Sequence, residues 1–91
     1  MTYNITEIDL DQYDFEDIDF VTSGIATCGI KVEWDIGIDH ALVIKDAIRF
    51  RDYLQDEYGL NRGYRWVTIN RYKAFVLFDD RAHMLLFKLA V

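Results

Sequence analysis

A helical repeat of apolar residues between positions 40 and 58 constrains the fold more than any other feature of the sequence. The apolar residues recur every three or four positions, as on one face of an α-helix: Val43, Ile44, Ala47, Ile48, Phe50, Leu54 and Tyr58. Asp39 is a candidate N-cap, and Gly59 followed by Leu60 is typical of a helix C-terminus. The pattern predicts one helix of about 28 Å, whose apolar face must pack against another element.

The sequence on both sides of this helix favours β-strands. In residues 4–11, apolar and acidic residues alternate, which predicts a strand with an acidic outer face, and residues 25–34 are a second candidate. Residues 64–69, 72–78 and 83–90 predict a C-terminal β-meander. We therefore expect a single α+β domain, 1–91, in which the helix packs across an antiparallel sheet of about five strands.

The composition of the chain indicates what kind of core it has and in which cellular compartment it works. A hydrophobic fraction of 52% predicts a real core, and the single cysteine excludes an internal disulfide. The sequence shows no signal peptide and no apolar stretch long enough to span a membrane. These features predict a cytoplasmic protein that does not bind membranes; if a phage encodes it, the cytoplasm is that of a bacterial host.

Charge is distributed very unevenly along the chain. Residues 1–40 hold ten acids and one base, and residues 41–91 hold six acids and nine bases, so the halves carry −9 and +3 of the net −6. An acidic protein repels nucleic acids and membrane surfaces and attracts basic proteins. The sequence therefore predicts a basic protein partner and no direct binding of nucleic acid.

The acidic N-terminal segment is the strongest candidate for a partner-binding surface. Alternate side chains on a strand lie about 6.8 Å apart on one face, and DNA presents a comparable row of phosphates, one per roughly 3.4 Å along each strand. Such a row could occupy the basic groove of a nucleic-acid-binding protein. Two alternatives remain: a solvated edge strand, or pairing with the protein's own basic half. The candidate residues are Glu7, Asp9, Asp11, Asp14, Glu16, Asp17 and Asp19, with Asp56 and Glu57 in the last turn of the predicted helix.

A second candidate patch mixes basic and aromatic residues: Arg65, Trp66, Arg71 and Tyr72. Such a mixture can bind single-stranded nucleic acid, but the net negative charge opposes this use. An ordinary sheet face, with arginine stems lying over aromatic rings, is the more economical interpretation. A protein-binding patch is the third, because tyrosine, tryptophan and arginine are favoured in interfaces.

No residue pattern predicts catalysis, a metal site or a cofactor. His40 and His83 match no metal-ligand spacing, and Cys28 lies in an apolar stretch. The glycines form no phosphate-binding fingerprint, and Ser23 lacks a nucleophile context. We therefore predict a protein that is not an enzyme and carries neither a cofactor nor a metal.

These observations favour a stoichiometric inhibitor that blocks a nucleic-acid-binding protein or nuclease complex through its acidic face. In size and charge alone, the chain resembles phage anti-defence proteins, including anti-CRISPR and DNA-mimic anti-restriction proteins, and immunity proteins that neutralise nuclease toxins. The alternative is a self-assembling structural or accessory protein that forms homo-oligomers, such as a homodimer, through its acidic and basic halves. A small-ligand binder or enzyme ranks last, since 91 residues leave little room for a deep pocket.

Overall fold

Over its described residues, the protein forms an antiparallel four-stranded sheet with two longer helices and a short one. The computed structural model describes residues 3–13, 15, 18–58 and 63–91, except for the side chain of Tyr58. The strands β1 (Tyr3–Ile8), β2 (Cys28–Trp34), β3 (Tyr64–Asn70) and β4 (Lys73–Phe78) lie in the order β1-β2-β4-β3. The helices are α1 (Asp19–Thr22), α2 (His40–Tyr58) and α3 (Arg81–Ala90). The predicted α+β class is confirmed.

The central strand β4 is buried on both faces of the sheet. Its residues Ala74, Val76 and Phe78 join the larger core cluster, to which α2 and α3 contribute. Phe75 and Leu77 belong to a second, smaller cluster on the opposite face. Because neighbouring residues of a strand point to opposite faces, this strand separates a helical layer from a second covering layer.

The long helix α2 forms where the apolar repeat predicts it. The Asp39 carboxylate accepts a hydrogen bond from the backbone N–H of Ala41 at 3.0 Å, which confirms the predicted N-cap. Phe50 and Leu54 are fully buried beneath the helix, whereas Ile44 and Ile48 remain about half exposed. The predicted C-terminal signal, Gly59 and Leu60, lies outside the described residues.

The prediction of a fifth strand and a C-terminal β-meander was wrong, because the chain after β4 is the helix α3. The Asp80 carboxylate caps it by accepting a hydrogen bond from the N–H of Ala82 at 2.8 Å. Met84 and Phe87, three residues apart, are fully buried in the same cluster as α2. Only the β3–β4 hairpin of the predicted meander is present.

The first strand is also shorter than predicted, ending at Ile8 rather than continuing to residue 11. The Asp9 carboxylate accepts a hydrogen bond from the backbone N–H of Asp11 at 3.0 Å, and a short 3-10 turn (Leu10–Gln12) follows. A side chain that bonds to nearby backbone in this way competes with a strand ladder. The predicted straight row of Glu7, Asp9 and Asp11 is therefore not formed.

Candidate interaction surface

The chain between β1 and β2 covers the sheet face that α2 and α3 leave open. Phe15 and Phe20 are buried there against Phe75 and Leu77. The rings of Phe15 and Phe75 meet edge to face, with their centroids 5.6 Å apart, and Tyr13 approaches Phe75 at 4.8 Å. We call the described residues of segment 9–22 the acidic layer. Its aromatic anchors fix it to the sheet, so its acids are held on the outer side.

The described acids of this layer are available to a partner. Asp9, Asp11 and Asp19 are exposed, and within the described part of the chain none of them forms an ion pair. Asp9 is held by its capping hydrogen bond to Asp11. Asp19 begins α1, where a negative charge near a helix N-terminus is favourable. These three carboxylates project from an anchored segment rather than from a strand.

Glu7 behaves differently from the acids that follow it. It lies on the face of β1 shared with Tyr3 and Ile5, towards the helical layer. Its carboxylate forms a salt bridge of 3.0 Å with the guanidinium of Arg81, at the start of α3. Pairing with the protein's own basic half, one of the alternatives raised by the sequence, therefore occurs at Glu7.

The remaining predicted acids do not enlarge the acidic layer as described. Asp14, Glu16 and Asp17 lie outside the described residues. Asp56 and Glu57 are exposed near the end of α2, which packs on the opposite face of the sheet. These two helix residues therefore lie on the other side of the sheet from the acidic layer.

The predicted basic and aromatic patch is divided between two faces of the sheet. Trp66 lies opposite Val76 and packs half-buried against the larger core, whereas Arg65 lies opposite Leu77 on the other face. Arg71 and Tyr72 form the turn between β3 and β4. Trp66 and Arg71 border a common cavity beside α2, which Arg65 does not reach.

Arg51 also lines that cavity, and sequence reasoning did not identify it. Its guanidinium lies 5.8 Å from the centre of the Trp66 ring, in cation–π geometry. Arg51 follows Ile44 and Ile48 at helical spacing, so the signal was present as a continuation of the half-exposed apolar stripe.

The described residues contain little that resembles a reactive centre. Among them, no group of three or more histidines, cysteines or acids is arranged to hold a metal ion. The imidazole Nδ1 of His83 lies 3.3 Å from the Asp79 carboxylate. Burial raises the pKa of the Cys28 thiol above its ordinary value, so the thiol is neutral at pH 7 and a poor nucleophile.

Comparison with protein families, curated proteins and solved structures finds no match to this chain. Its function must therefore be argued from its own residues. Among the described helices, none combines the length and apolar character needed to cross a lipid bilayer.

Proposed function

We propose that this protein is a stoichiometric inhibitor that binds a nucleic-acid-binding protein or nuclease complex through its acidic layer. The observation that carries the proposal is the exposure of Asp9, Asp11 and Asp19 on a segment anchored by Phe15 and Phe20. Such inhibitors act by occupancy and need no catalytic group. Phage anti-defence proteins and nuclease immunity proteins are the functional classes in which we place it.

Two physical arguments support this use of the acidic layer. Like charges held close together without cationic partners repel one another and destabilise the fold that carries them. A basic partner would relieve that repulsion. The negative charge of the acidic layer would also steer this partner to the surface, so the association rate should fall steeply as the salt concentration rises. Because the acids follow a bent segment, they would present negative charge to a basic groove without copying the regular spacing of phosphates.

The first experiment is a pull-down from host lysate at low salt and again at high salt, with the captured proteins identified by mass spectrometry. A nucleic-acid-binding protein or nuclease, retained at low salt and released at high salt, supports the proposal. Capture of proteins without nucleic-acid-binding activity, or retention that is independent of salt, contradicts it.

The captured partner then allows a matched pair of variants. Asp9→Asn, Asp11→Asn and Asp19→Asn together remove three charges while leaving a capping side chain at position 9. The control, Asp52→Asn, Asp56→Asn and Glu57→Gln, removes three charges from α2 on the other sheet face. We expect the first variant to lose binding at least tenfold more than the control, on the order of 1.4 kcal/mol. Equal losses would assign the effect to net charge and contradict a specific acidic layer.

The alternative function, a homo-oligomer, is favoured by an exposed apolar face of α3 rather than by the acidic and basic halves of the sequence. Helix α3 exposes Leu85, Leu86 and Leu89, and Leu89 keeps 85% of its surface accessible. These leucines form one apolar face that a second copy could cover by symmetric helix packing. The apolar C-terminal segment would then assemble as a helix rather than by extending a sheet.

Sedimentation velocity tests this alternative. If α3 forms the interface, Leu86→Lys with Leu89→Lys should convert an oligomer to a monomer. Ile36→Lys replaces an isoleucine that is 91% exposed in the turn before α2, and this control should leave the oligomer intact. A wild-type protein that sediments as a monomer at high concentration removes the alternative.

A further inference from the structure

A cavity of about 220 Å³ lies between α2 and the adjoining ends of β3 and β4. Val43 and Ala47 of the helix and Ala74 of β4 give it apolar walls, and the two tryptophans of the chain, Trp34 and Trp66, both line it. Ligand sites in proteins are concave, mostly apolar and supplied with a few polar groups. This cavity meets the first two conditions.

The charge that lines the cavity is opposite to that of the protein as a whole. Arg51 and Arg71 border it, and among the described lining residues there is no aspartate or glutamate. Neither arginine forms an ion pair with a described acid. Lys73 also contributes to the wall, but its ammonium lies 3.8 Å from Glu33 and is partly neutralised. In a chain of net charge −6, the described lining of this cavity therefore carries positive charge.

The indole N–H groups of the two tryptophans that line the cavity already have hydrogen-bond acceptors within the protein. The indole N–H of Trp34 donates to the Asp46 carboxylate at 3.1 Å, and that of Trp66 donates to the Thr68 hydroxyl at 3.1 Å. The two tryptophans therefore offer the cavity aromatic surface rather than unmet donors. Arg51, stacked over Trp66, is held close to that surface.

One buried polar atom at the cavity lacks a partner. His40 lines the cavity, and its Nδ1 is buried with no hydrogen-bond partner among the described residues. An unsatisfied buried polar atom costs free energy and is rare in folded proteins. A polar group of a ligand that reaches this nitrogen would satisfy it.

We propose that this cavity binds a small aromatic carboxylate, independently of the function proposed for the acidic layer. The ring system packs against Trp34 and Trp66, and the carboxylate pairs with the guanidinium groups of Arg51 and Arg71, which match its planar geometry. The volume is below the roughly 300–1,000 Å³ of typical ligand pockets. It therefore limits the guest to about one fused ring system.

The two tryptophans make the test direct, because both indole N–H signals in a ¹H–¹⁵N NMR spectrum come from the cavity wall. The full chain is titrated with indole-3-acetate and, as a matched neutral probe, with indole-3-acetamide. We expect saturable shifts of both signals with the carboxylate and at least about tenfold weaker binding of the amide, as expected for loss of charge-assisted hydrogen bonds. No saturation at millimolar concentrations, or equal binding of the two probes, overturns the proposal.

Arginine variants localise the site. Arg51→Gln and Arg71→Gln should each weaken binding of indole-3-acetate about tenfold, whereas Arg65→Gln, on the other sheet face, should leave it unchanged. An equal loss with Arg65→Gln would overturn the assignment. If Arg51→Gln alters the fold, seen as a loss of dispersion in the same spectrum, Arg71→Gln decides the question because Arg71 is an exposed turn residue.

Discussion

The strands on either side of Gly29 approach so closely that they leave no room for a side chain at this position. It lies in β2 between Ile8 of β1 and Leu77 of β4. A Cβ atom at this position would come within 2.9 Å of the Leu77 Cδ2 and 3.2 Å of the carbonyl oxygen of Val76. The residue is buried, so neither neighbour can simply move into solvent. Any side chain here strains the centre of the sheet.

Replacing Gly29 with alanine should therefore destabilise the protein. We expect Gly29→Ala to lower the free energy of unfolding by about 1–3 kcal/mol, the usual cost of overpacking a core, as measured by urea denaturation. A double-mutant cycle with Leu77→Val, which lacks the Cδ2 atom, separates the two contacts. If the loss is as large in the Leu77→Val background, contact with Leu77 is not its cause.

At the scale of single elements, the sequence predicts α2 well and α3 not at all. Helix α2 has charged residues opposite its apolar stripe and a capping Asp39, so its period is readable. In α3 the face opposite the buried Met84 and Phe87 carries Leu85, Leu86 and Leu89, so the segment is apolar on two opposite sides. Such a segment reads equally as a buried strand. The capping residue Asp80 is the remaining signal of a helix in this segment.

The acidic layer was predictable from the sequence only in part. The acids were visible in the sequence, but the alternation that suggested a strand continues through Asp9 and Asp11, where the chain turns. The hydrogen bond that ends the strand is local and leaves no mark on the apolar pattern. The cavity beside α2 joins residues from distant parts of the chain, so it required the tertiary structure.

The helical assignment of α3 predicts a contrast between two of its residues. Phe87 is fully buried and meets the rings of Phe50 and Phe78, so Phe87→Ala should cost about 3–5 kcal/mol in unfolding free energy. Leu89→Ala should change it by less than about 0.5 kcal/mol, since Leu89 is exposed. Both are measured by thermal or urea unfolding. On a strand, residues 87 and 89 would share a face, and similar losses would contradict the helix.

At the scale of the whole molecule, the sheet separates two surfaces of different character. One face carries α2 and α3, with the cavity bordered by Arg51 and Arg71; the other carries the acidic layer. The acidic layer lacks cationic partners in the described chain, while Glu7 is paired with Arg81. The described acids of this layer therefore carry negative charge that no described cation neutralises.

If these like charges repel one another, removing charge from the layer should stabilise the free protein. The variant with Asp9→Asn and Asp11→Asn, which keeps the favourable charge of Asp19 at the start of α1, should unfold at higher urea concentration than wild type at low ionic strength, by less than about 1 kcal/mol. The gain should vanish near 1 M salt, where the screening length falls to about 3 Å. Glu7→Gln, which removes a paired charge, should give no gain. A gain that persists at high salt would point to a cause other than repulsion.

The strand order also has a consequence for the kinetics of folding. The central neighbours β2 and β4 are separated along the chain by α2 and β3, so their pairing closes a long loop, whereas the β3–β4 hairpin closes a short one. The acidic layer packs on Phe75 and Leu77 and can dock only after that sheet exists. We expect Phe15→Leu and Phe20→Leu to accelerate unfolding and leave the folding rate nearly unchanged in stopped-flow measurements. A slowed folding rate would instead place this layer in the folding nucleus. If only unfolding is accelerated, the surface proposed to bind the target is the last part of the protein to form and the first to detach.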